Sequence, residues 1–166
     1  MSAEARGVAP QAQQGGSRIG EVLERARRRL PSRPSAADLP ALRARGALIV
    51  DIRPVEQRAL DGWLPGAVVV DRNVLEWRLD PTSPHRLPQV SGPDQEIVIV
   101  CNEGYSSSLA ALSLQELGLT RATDLDGGYQ AVLALQRSTG FSGGHGSIAP
   151  GADADVPGGI AGHELK

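Results

Sequence analysis

Short apolar runs alternate with segments of helical spacing along the middle of the chain. Runs rich in Val, Ile, Leu and Ala predict four strands, at 47–51, 67–70, 96–100 and 122–125. Apolar residues three and four positions apart predict helices around them, at 17–33, 35–45, 54–60, 73–78, 108–117 and from 128 onward. Strands that alternate with helices through short loops are typical of an α/β domain with a parallel sheet and right-handed crossovers.

The two ends of the chain differ in composition from its middle. Residues 1–16 are rich in Ala, Gln and Gly without a period, and they predict a disordered leader. Residues 139–166 are rich in Gly, Ala, Ser and Asp and predict a flexible tail. Between the ends, a basic amphipathic helix at 17–33 precedes a single α/β domain at 35–138.

Charge is distributed unevenly along the chain. Residues 1–45 hold nine arginines and four acidic residues, a balance of +5, and the rest of the chain carries −7. A basic segment can contact nucleic acid, but no aromatic side chains are interleaved here for stacking on bases. We therefore predict a solvated helix face and no nucleic-acid partner.

Composition limits the class of protein and the cellular compartment. The 166 residues, with 40% hydrophobic and 3% aromatic residues, suit one domain with an aliphatic core. No apolar run is long enough to span a bilayer, and the N-terminus lacks the pattern of a signal peptide. The one cysteine forbids an intramolecular disulfide. These features predict a cytoplasmic protein that has no membrane partner.

That cysteine, Cys101, lies between the predicted strand 96–100 and a loop that leads into the helix at 108–117. Ligands bind at the carboxyl ends of parallel strands, and loop N–H groups together with a helix dipole stabilise an anion such as a thiolate. A free cysteine is more commonly an inert buried residue. Its place between strand, loop and helix favours a nucleophile.

Two cysteine chemistries fit these residues poorly. A Cys–His hydrolase needs a histidine close to the thiol, yet the three histidines lie in a proline-rich loop or in the predicted tail. A cysteine phosphatase needs an arginine that closes the loop and clamps the phosphoryl group. The chain has Ser106 and Ser107 there, and Glu103 carries the opposite charge.

A persulfide carrier needs fewer groups. The Cys101 thiolate attacks the outer sulfur of a donor, a Cys–S–S⁻ adduct forms, and an acceptor nucleophile removes that sulfur. Loop N–H groups and the hydroxyls of Ser106 and Ser107 could donate to the terminal sulfur. No Cys/His cluster has the spacing of metal ligands, so we expect neither a metal nor another cofactor.

Four segments, in this order and spacing, resemble those of the single-domain rhodanese family. They are Val50-Asp51-Ile52-Arg53, Gly62-Trp63-Leu64-Pro65-Gly66-Ala67, the loop Cys101–Ser106, and Leu125-Asp126-Gly127-Gly128-Tyr129. The resemblance covers about residues 47–135. It implies a rhodanese-like α/β fold with a central five-stranded parallel sheet and helices on both faces.

The resemblance also implies a site. Cys101 would carry the persulfide in a six-residue loop, a length typical of sulfurtransferases, whereas related phosphatases and arsenate reductases have one residue more and an arginine. The substrate-binding loop would consist of Asn102, Glu103, Gly104, Tyr105, Ser106 and Ser107. Asp51, Arg53, Gly127 and Gly128 would support it.

The roles of the supporting residues follow from their types. We expect Asp51 and Arg53 to form a structural ion pair, and Gly127 and Gly128 to permit close approach of the backbone. For Ser107, donation to the sulfur and capping of the following helix are both open.

The leading hypothesis is a thiosulfate sulfurtransferase-like enzyme. It would move sulfane sulfur from a donor such as thiosulfate or a persulfide to a thiophilic acceptor, so its partners would be a small sulfur donor and a small or protein thiol. Relatives active on thiosulfate often have basic loop residues, so Glu103 predicts weak binding of a dianionic donor. The alternative is a non-catalytic rhodanese-like module that binds proteins or senses redox state.

Overall fold

The computed structural model describes residues 16–140, so the predicted leader up to residue 15 and the predicted tail from residue 141 lie outside the described residues. One parallel sheet has the strand order β2-β1-β3-β4. Its strands are β1 (Leu48–Asp51), β2 (Val68–Val69), β3 (Ile97–Val100) and β4 (Ala122–Asp124). The parallel α/β fold is confirmed, with four strands among the described residues instead of five.

The missing fifth strand has a physical explanation at the outer side of β4. Residues 32–34 lie there: the Asp126 N–H donates to the Pro34 carbonyl at 2.8 Å, and the Thr123 hydroxyl donates to the Ser32 carbonyl at 3.5 Å. Proline lacks the N–H that a strand donates to its neighbour. Pro31 and Pro34 therefore keep this segment from forming a ladder with β4.

Within the described residues, six helices surround the sheet. They are α1 (Arg18–Arg29), α2 (Leu39–Ala44), α3 (Val55–Asp61), α4 (Leu75–Leu79), α5 (Ser106–Glu116) and α6 (Gly128–Ser138). Short 3₁₀ turns precede α2 and α4, at Ala36–Asp38 and Arg72–Val74. In the range 16–140, none of the helices combines the length and the apolar character needed to cross a membrane.

The helix α1 starts and packs as its sequence predicts. The Ser17 side chain caps it by accepting a hydrogen bond from the Gly20 N–H at 3.1 Å. Leu23 and Ala26 are buried, and α1 packs against α5. Arginines in its last turn interact favourably with the negative end of the helix dipole.

The core lies on both faces of the sheet, which confirms that helices flank it on both sides. Strands β1 and β3 are buried along their whole length, as expected of continuous apolar runs in a parallel sheet. One face packs Val50, Ile97 and Ile99 against α4 and α5 through Leu75, Leu79, Ala110 and Leu114. The other face packs Ile49, Val98 and Val100 against α2 and α6 through Leu39, Leu42, Tyr129 and Val132.

Candidate active site

Cys101 follows β3 directly and starts a tight loop that ends where α5 begins, at Ser106. Because Asp51 and Val100 are register partners at the ends of β1 and β3, Asp51 and Cys101 lie at the same edge of the sheet. Gly104 has a φ of +77°, a conformation that side chains other than glycine rarely adopt. This conformation lets the Gly104 N–H donate to the Cys101 sulfur, with N and Sγ 3.1 Å apart.

The loop surrounds the Cys101 sulfur with hydrogen-bonding groups. Cys101 is 6% exposed, and its Sγ lies 3.1 Å from the Ser107 hydroxyl oxygen. Burial raises the pKa of the thiol, but hydrogen bonds from the hydroxyls of Ser107 and Ser106 and from the N–H groups of Ser107 and Gly104 lower it. The balance leaves the pKa of Cys101 below its ordinary value, which favours the thiolate.

Ser107 links the sulfur to a buried acid. Its hydroxyl donates to Asp124 Oδ2 at 2.8 Å, so in this arrangement its oxygen accepts the S–H of Cys101. A thiolate would require the hydroxyl proton to turn toward the sulfur instead. The N-cap of α5 is Tyr105 and not Ser107, so of the two open alternatives the geometry favours contact with the sulfur.

Asp51 and Arg53 form a buried ion pair beside the loop. Arg53 Nη2 lies 2.7 Å from Asp51 Oδ2, and the backbone N–H of Arg53 donates to the same carboxylate at 2.9 Å. The guanidinium also donates to the Gly62 carbonyl at 2.9 Å and stacks 3.6 Å from the centre of the Tyr129 ring. These contacts fix the turn between β1 and α3.

Gly127 and Gly128 bring the start of α6 against the Cys101 loop. Both have positive φ, +71° and +59°. A Cβ atom on Gly128 would lie 2.5 Å from the Cys101 carbonyl oxygen and 2.7 Å from the Gly104 nitrogen. This closeness allows the N–H groups of Tyr129 and Gln130 to donate to the carbonyls of Cys101 and Asn102, at 2.9 and 3.0 Å.

A cavity of about 410 Å³ opens beside Cys101. The other lining residues come from the β1–α3 turn and from the loop: Ile52, Arg53, Pro54, Gln57, Asn102, Glu103, Tyr105 and Ser106. The predicted loop residues Asn102, Glu103, Tyr105 and Ser106 therefore face a shared space with the sulfur-bearing residue. Gly104 and Ser107 do not line the cavity and act on the sulfur through hydrogen bonds.

The loop receives positive charge from outside itself. Arg27 Nη2 donates to the Gly104 carbonyl at 2.9 Å, and Arg33 Nη2 donates to the same oxygen at 3.3 Å. Arg33 Nε also lies 2.7 Å from Asp124 Oδ1. The Ser108 hydroxyl is a further neighbour, with its oxygen 2.8 Å from Asp124 Oδ2 and 3.2 Å from the Gly104 oxygen.

These four residues, Arg27, Arg33, Ser108 and Asp124, were not among those predicted from the sequence for the site. One signal pointed toward them. Asp124 ends a strand whose three residues are all buried, and a buried carboxylate needs a charged or hydrogen-bonded partner. The chain's surplus of positive charge lies in the basic segment before residue 35, about 90 positions away in the sequence.

Comparisons with known proteins place the fold in one family. The model of the Rhodanese-like domain family matches residues 35–135. A search of curated proteins finds no match. Three solved structures with similar folds are a protein from Rhodopseudomonas palustris, a human protein and a domain from Anabaena.

The Rhodopseudomonas protein is described as of unknown function and a possible tyrosine phosphatase. It is 29% identical, with a TM-score of 0.63, over 83% of this chain and 97% of that one. The human single-domain sulfurtransferase TSTD1 is 27% identical, with a TM-score of 0.54, over 63% and 96%. The Anabaena rhodanese-like domain, 18% identical with a TM-score of 0.51 over 82% and 99%, supports the fold alone.

Proposed function

Because this chain belongs to the rhodanese-like domain family, we propose that it is a sulfurtransferase that carries sulfane sulfur on Cys101. The observation that supports this most directly is the environment of the sulfur. A thiol with a lowered pKa lies beside a cavity and within 3.1 Å of the Gly104 N–H and of the Ser107 hydroxyl. The same groups that favour the thiolate would stabilise a persulfide anion.

The reaction needs two displacements at sulfur. The Cys101 thiolate attacks the outer sulfur of the donor, the donor's S–S bond breaks, and the leaving thiolate or sulfite takes its electron pair. The Cys–S–S⁻ adduct remains in the loop. A thiolate or cyanide then attacks the outer sulfur, the S–S bond breaks again, and the Cys101 thiolate is regenerated.

The charges along the cavity favour a donor of low charge. Glu103 is the acidic member of the lining. Arg53 also lines the cavity, but its guanidinium is held by Asp51 and by the Gly62 carbonyl. A dianion such as thiosulfate gains little there, because Glu103 opposes it and the charge of Arg53 is neutralised by Asp51. We therefore infer that a thiol persulfide serves better than thiosulfate.

A phosphatase activity has weaker support. The Rhodopseudomonas protein, which carries that description, is similar over most of this chain. In this chain the segment from Cys101 to Ser106 holds no arginine to clamp a phosphoryl group. Arg27 and Arg33 are not among the residues that line the cavity, and both donate to a backbone carbonyl.

Intact mass after incubation with a donor tests the proposal. The wild-type protein is treated with a thiol persulfide or with thiosulfate, and we expect one added sulfur, more rapidly from the persulfide. Cys101→Ser keeps the size of the side chain, lacks the thiolate, and should gain none. A wild-type protein that gains no sulfur from any donor, or a variant that gains as much, would contradict a Cys101 persulfide.

The non-catalytic alternative makes the opposite prediction. A protein-binding module would retain its partners in a pull-down with Cys101→Ala and would show no turnover of persulfide. Measurable transfer of sulfur to a thiol acceptor by the wild type, lost in Cys101→Ser, would exclude it. In the same set of experiments, an assay of the purified protein for hydrolysis of an aryl phosphate tests the phosphatase alternative.

A further inference from the structure

Two arginines that precede the family-matched residues 35–135 reach the Cys101 loop. Arg27 is on α1, and Arg33 is in the segment between α1 and α2. Their contacts span 77 and 91 positions of sequence, to Gly104 and to Asp124. The loop itself has no basic residue. The charges that balance its anionic chemistry therefore come from the N-terminal segment.

We propose that Arg33 and Arg27 are positioning residues for Cys101: Arg33 neutralises the buried carboxylate of Asp124 behind the sulfur, and both arginines hold the Gly104 backbone. The proposal rests on the proposed function only in treating Cys101 as the reacting group. It assigns a chemical role to a segment that the match to the family does not include.

Asp124 would oppose a thiolate if it were unpaired. Its side chain is fully buried, and the Ser107 hydroxyl oxygen lies 2.8 Å from its Oδ2 and 3.1 Å from the sulfur, so those two atoms are at most about 6 Å apart. Two negative charges at that separation repel strongly in a buried site. Arg33 offsets this repulsion with two contacts to the carboxylate, Nε to Oδ1 at 2.7 Å and Nη2 to Oδ2 at 3.2 Å.

Arg33 keeps its charge in this position. Burial lowers its pKa, but the hydrogen bonds and attraction to Asp124 and Asp126 outweigh that effect, so the pKa is raised above its ordinary value. The contact with Asp126 is 2.7 Å long. A guanidinium shared by two carboxylates and a carbonyl is fixed in orientation as well as in charge.

The Gly104 backbone is the second point of action. Its carbonyl accepts from Arg27 at 2.9 Å and from Arg33 at 3.3 Å. The N–H of the same residue donates to the Cys101 sulfur. Charged donors on the carbonyl therefore fix the residue in the positive-φ conformation that directs its N–H at the sulfur.

The remaining charged groups near the sulfur come from two other elements. Asp51 and Arg53, at the end of β1, neutralise each other in a buried pair. Glu103 is an exposed residue of the loop itself. These groups are not altered in the experiment below. Asp126, the other acidic partner of Arg33, is 63% exposed and screened by solvent, so a change in the titration of Cys101 is attributable mainly to the pair formed by Arg33 and Asp124.

The rate of alkylation of Cys101 as a function of pH, measured on the full chain, tests the proposal. Arg33→Gln leaves Asp124 unpaired, and we expect about tenfold slower alkylation at neutral pH with an unchanged plateau at high pH. Asp124→Asn removes the opposing charge and should speed alkylation at neutral pH. The double variant Arg33→Gln/Asp124→Asn should return close to the wild-type profile.

Matched variants separate this role from a purely structural one. Arg28→Gln makes the same change at an exposed position of α1 and should leave the profile unchanged. Arg27→Gln should cause a smaller slowing than Arg33→Gln, because Arg27 contacts Gly104, Ser108 and the Tyr105 ring but forms no ion pair with Asp124. If Arg33→Gln does not fold, Arg33→Lys keeps the charge, and Asp124→Asn and the double variant carry the comparison.

The direction in which each variant changes the alkylation rate of Cys101 at neutral pH decides between the outcomes. Slower alkylation in Arg33→Gln and faster alkylation in Asp124→Asn, each relative to the wild type, support the proposal. Where Arg33→Gln does not fold, faster alkylation in Asp124→Asn supports it if Arg33→Lys and the double variant stay close to the wild type. Shifts of Arg33→Gln and Asp124→Asn in the same direction, or a wild-type profile in either of these two variants when folded, overturn it. Alkylation needs no sulfur donor, so a failure of persulfide formation would count against the proposed function without changing this result.

Discussion

One hydroxyl, that of Ser107, connects the sulfur of Cys101 to the carboxylate of Asp124. It has a single proton to donate, so its partner depends on the state of the thiol. With the neutral thiol it donates to Asp124, and with a thiolate or a persulfide it can turn to the sulfur. The Ser108 hydroxyl, also 2.8 Å from Asp124 Oδ2, can continue to donate to the carboxylate during that exchange.

Ser107→Ala should therefore make Cys101 less reactive at neutral pH. The substitution removes a hydrogen bond that lowers the pKa of the thiol, and we expect alkylation at pH 7 to slow by about threefold to tenfold. Ser113→Ala is a matched control, because Ser113 is on the same helix and bonds to a carboxylate, Glu76, away from the site. Equal rates in the two variants would remove Ser107 from the chemistry of the sulfur.

At the residue scale, local pattern predicts part of this site. Cys101 and Gly104 stand out because a strand, a loop and a helix succeed one another within a few positions. Asp51 and Arg53 are two positions apart, so their pairing is local as well. The contact between Arg33, in the segment after α1, and Asp124, at the end of β4, joins residues 91 positions apart, and no local pattern carries that information.

At the scale of elements, the turn between β4 and α6 positions the Cys101 loop. Gly127 and Gly128 turn the chain so sharply that the first N–H groups after the turn meet the loop carbonyls. The loop is thus held from the β4–α6 turn, while α1 and the following segment hold it through arginines. Its shape depends on elements that are distant in the sequence.

Gly128→Ala should destabilise the protein by at least about 2 kcal/mol, because positive φ strains the new residue and its Cβ would clash with the backbone of Cys101 and Gly104. Gly118→Ala is the control: φ is +92° there, and nothing lies within 4 Å of the added atom. Comparing the urea unfolding of the two variants separates the cost of the clash from the cost of positive φ, which both variants share. A cost in Gly128→Ala no greater than in Gly118→Ala would mean that the loop adjusts freely.

The type of each element was predictable, and its ends were less so. Continuous apolar runs mark β1 and β3 because both faces of those strands are buried. Strand β2 has two residues, Val68 and Val69, although the run extends over 67–70. Ala67 belongs to the preceding turn, since its N–H donates to the Leu64 carbonyl, and an apolar pattern does not register such a bond.

At the scale of the whole molecule, folding lowers the pKa of several acidic residues on separate elements. The pKa values of Asp38, Glu76, Asp80 and Glu96 are all lowered in the folded state. For Glu76, burial raises the pKa, and hydrogen bonds from Ser113 and Arg72, with attraction to Arg72, outweigh it. For Glu96, the hydrogen bond from Arg45 is the main cause.

Stability should therefore fall in acid. A group whose pKa is lower in the folded than in the unfolded state adds stability above its unfolded pKa, here about 4 to 4.5, and loses it as pH falls through the folded value. We expect the urea midpoint to decrease from pH 6 to pH 3, and the decrease to be smaller in Glu76→Gln. Glu56→Gln, exposed on α3, is the control. A midpoint that holds steady over this range would contradict the expectation.

The segment 32–34 has a consequence for how copies of this molecule meet. An exposed edge strand of a sheet can pair with a strand of another chain, which is a common route to aggregation. Here β4 is bordered by a proline-flanked segment, and at the opposite border β2 offers a ladder of only two residues. Removal of the chain before residue 35 would uncover β4 and make the molecule prone to self-association.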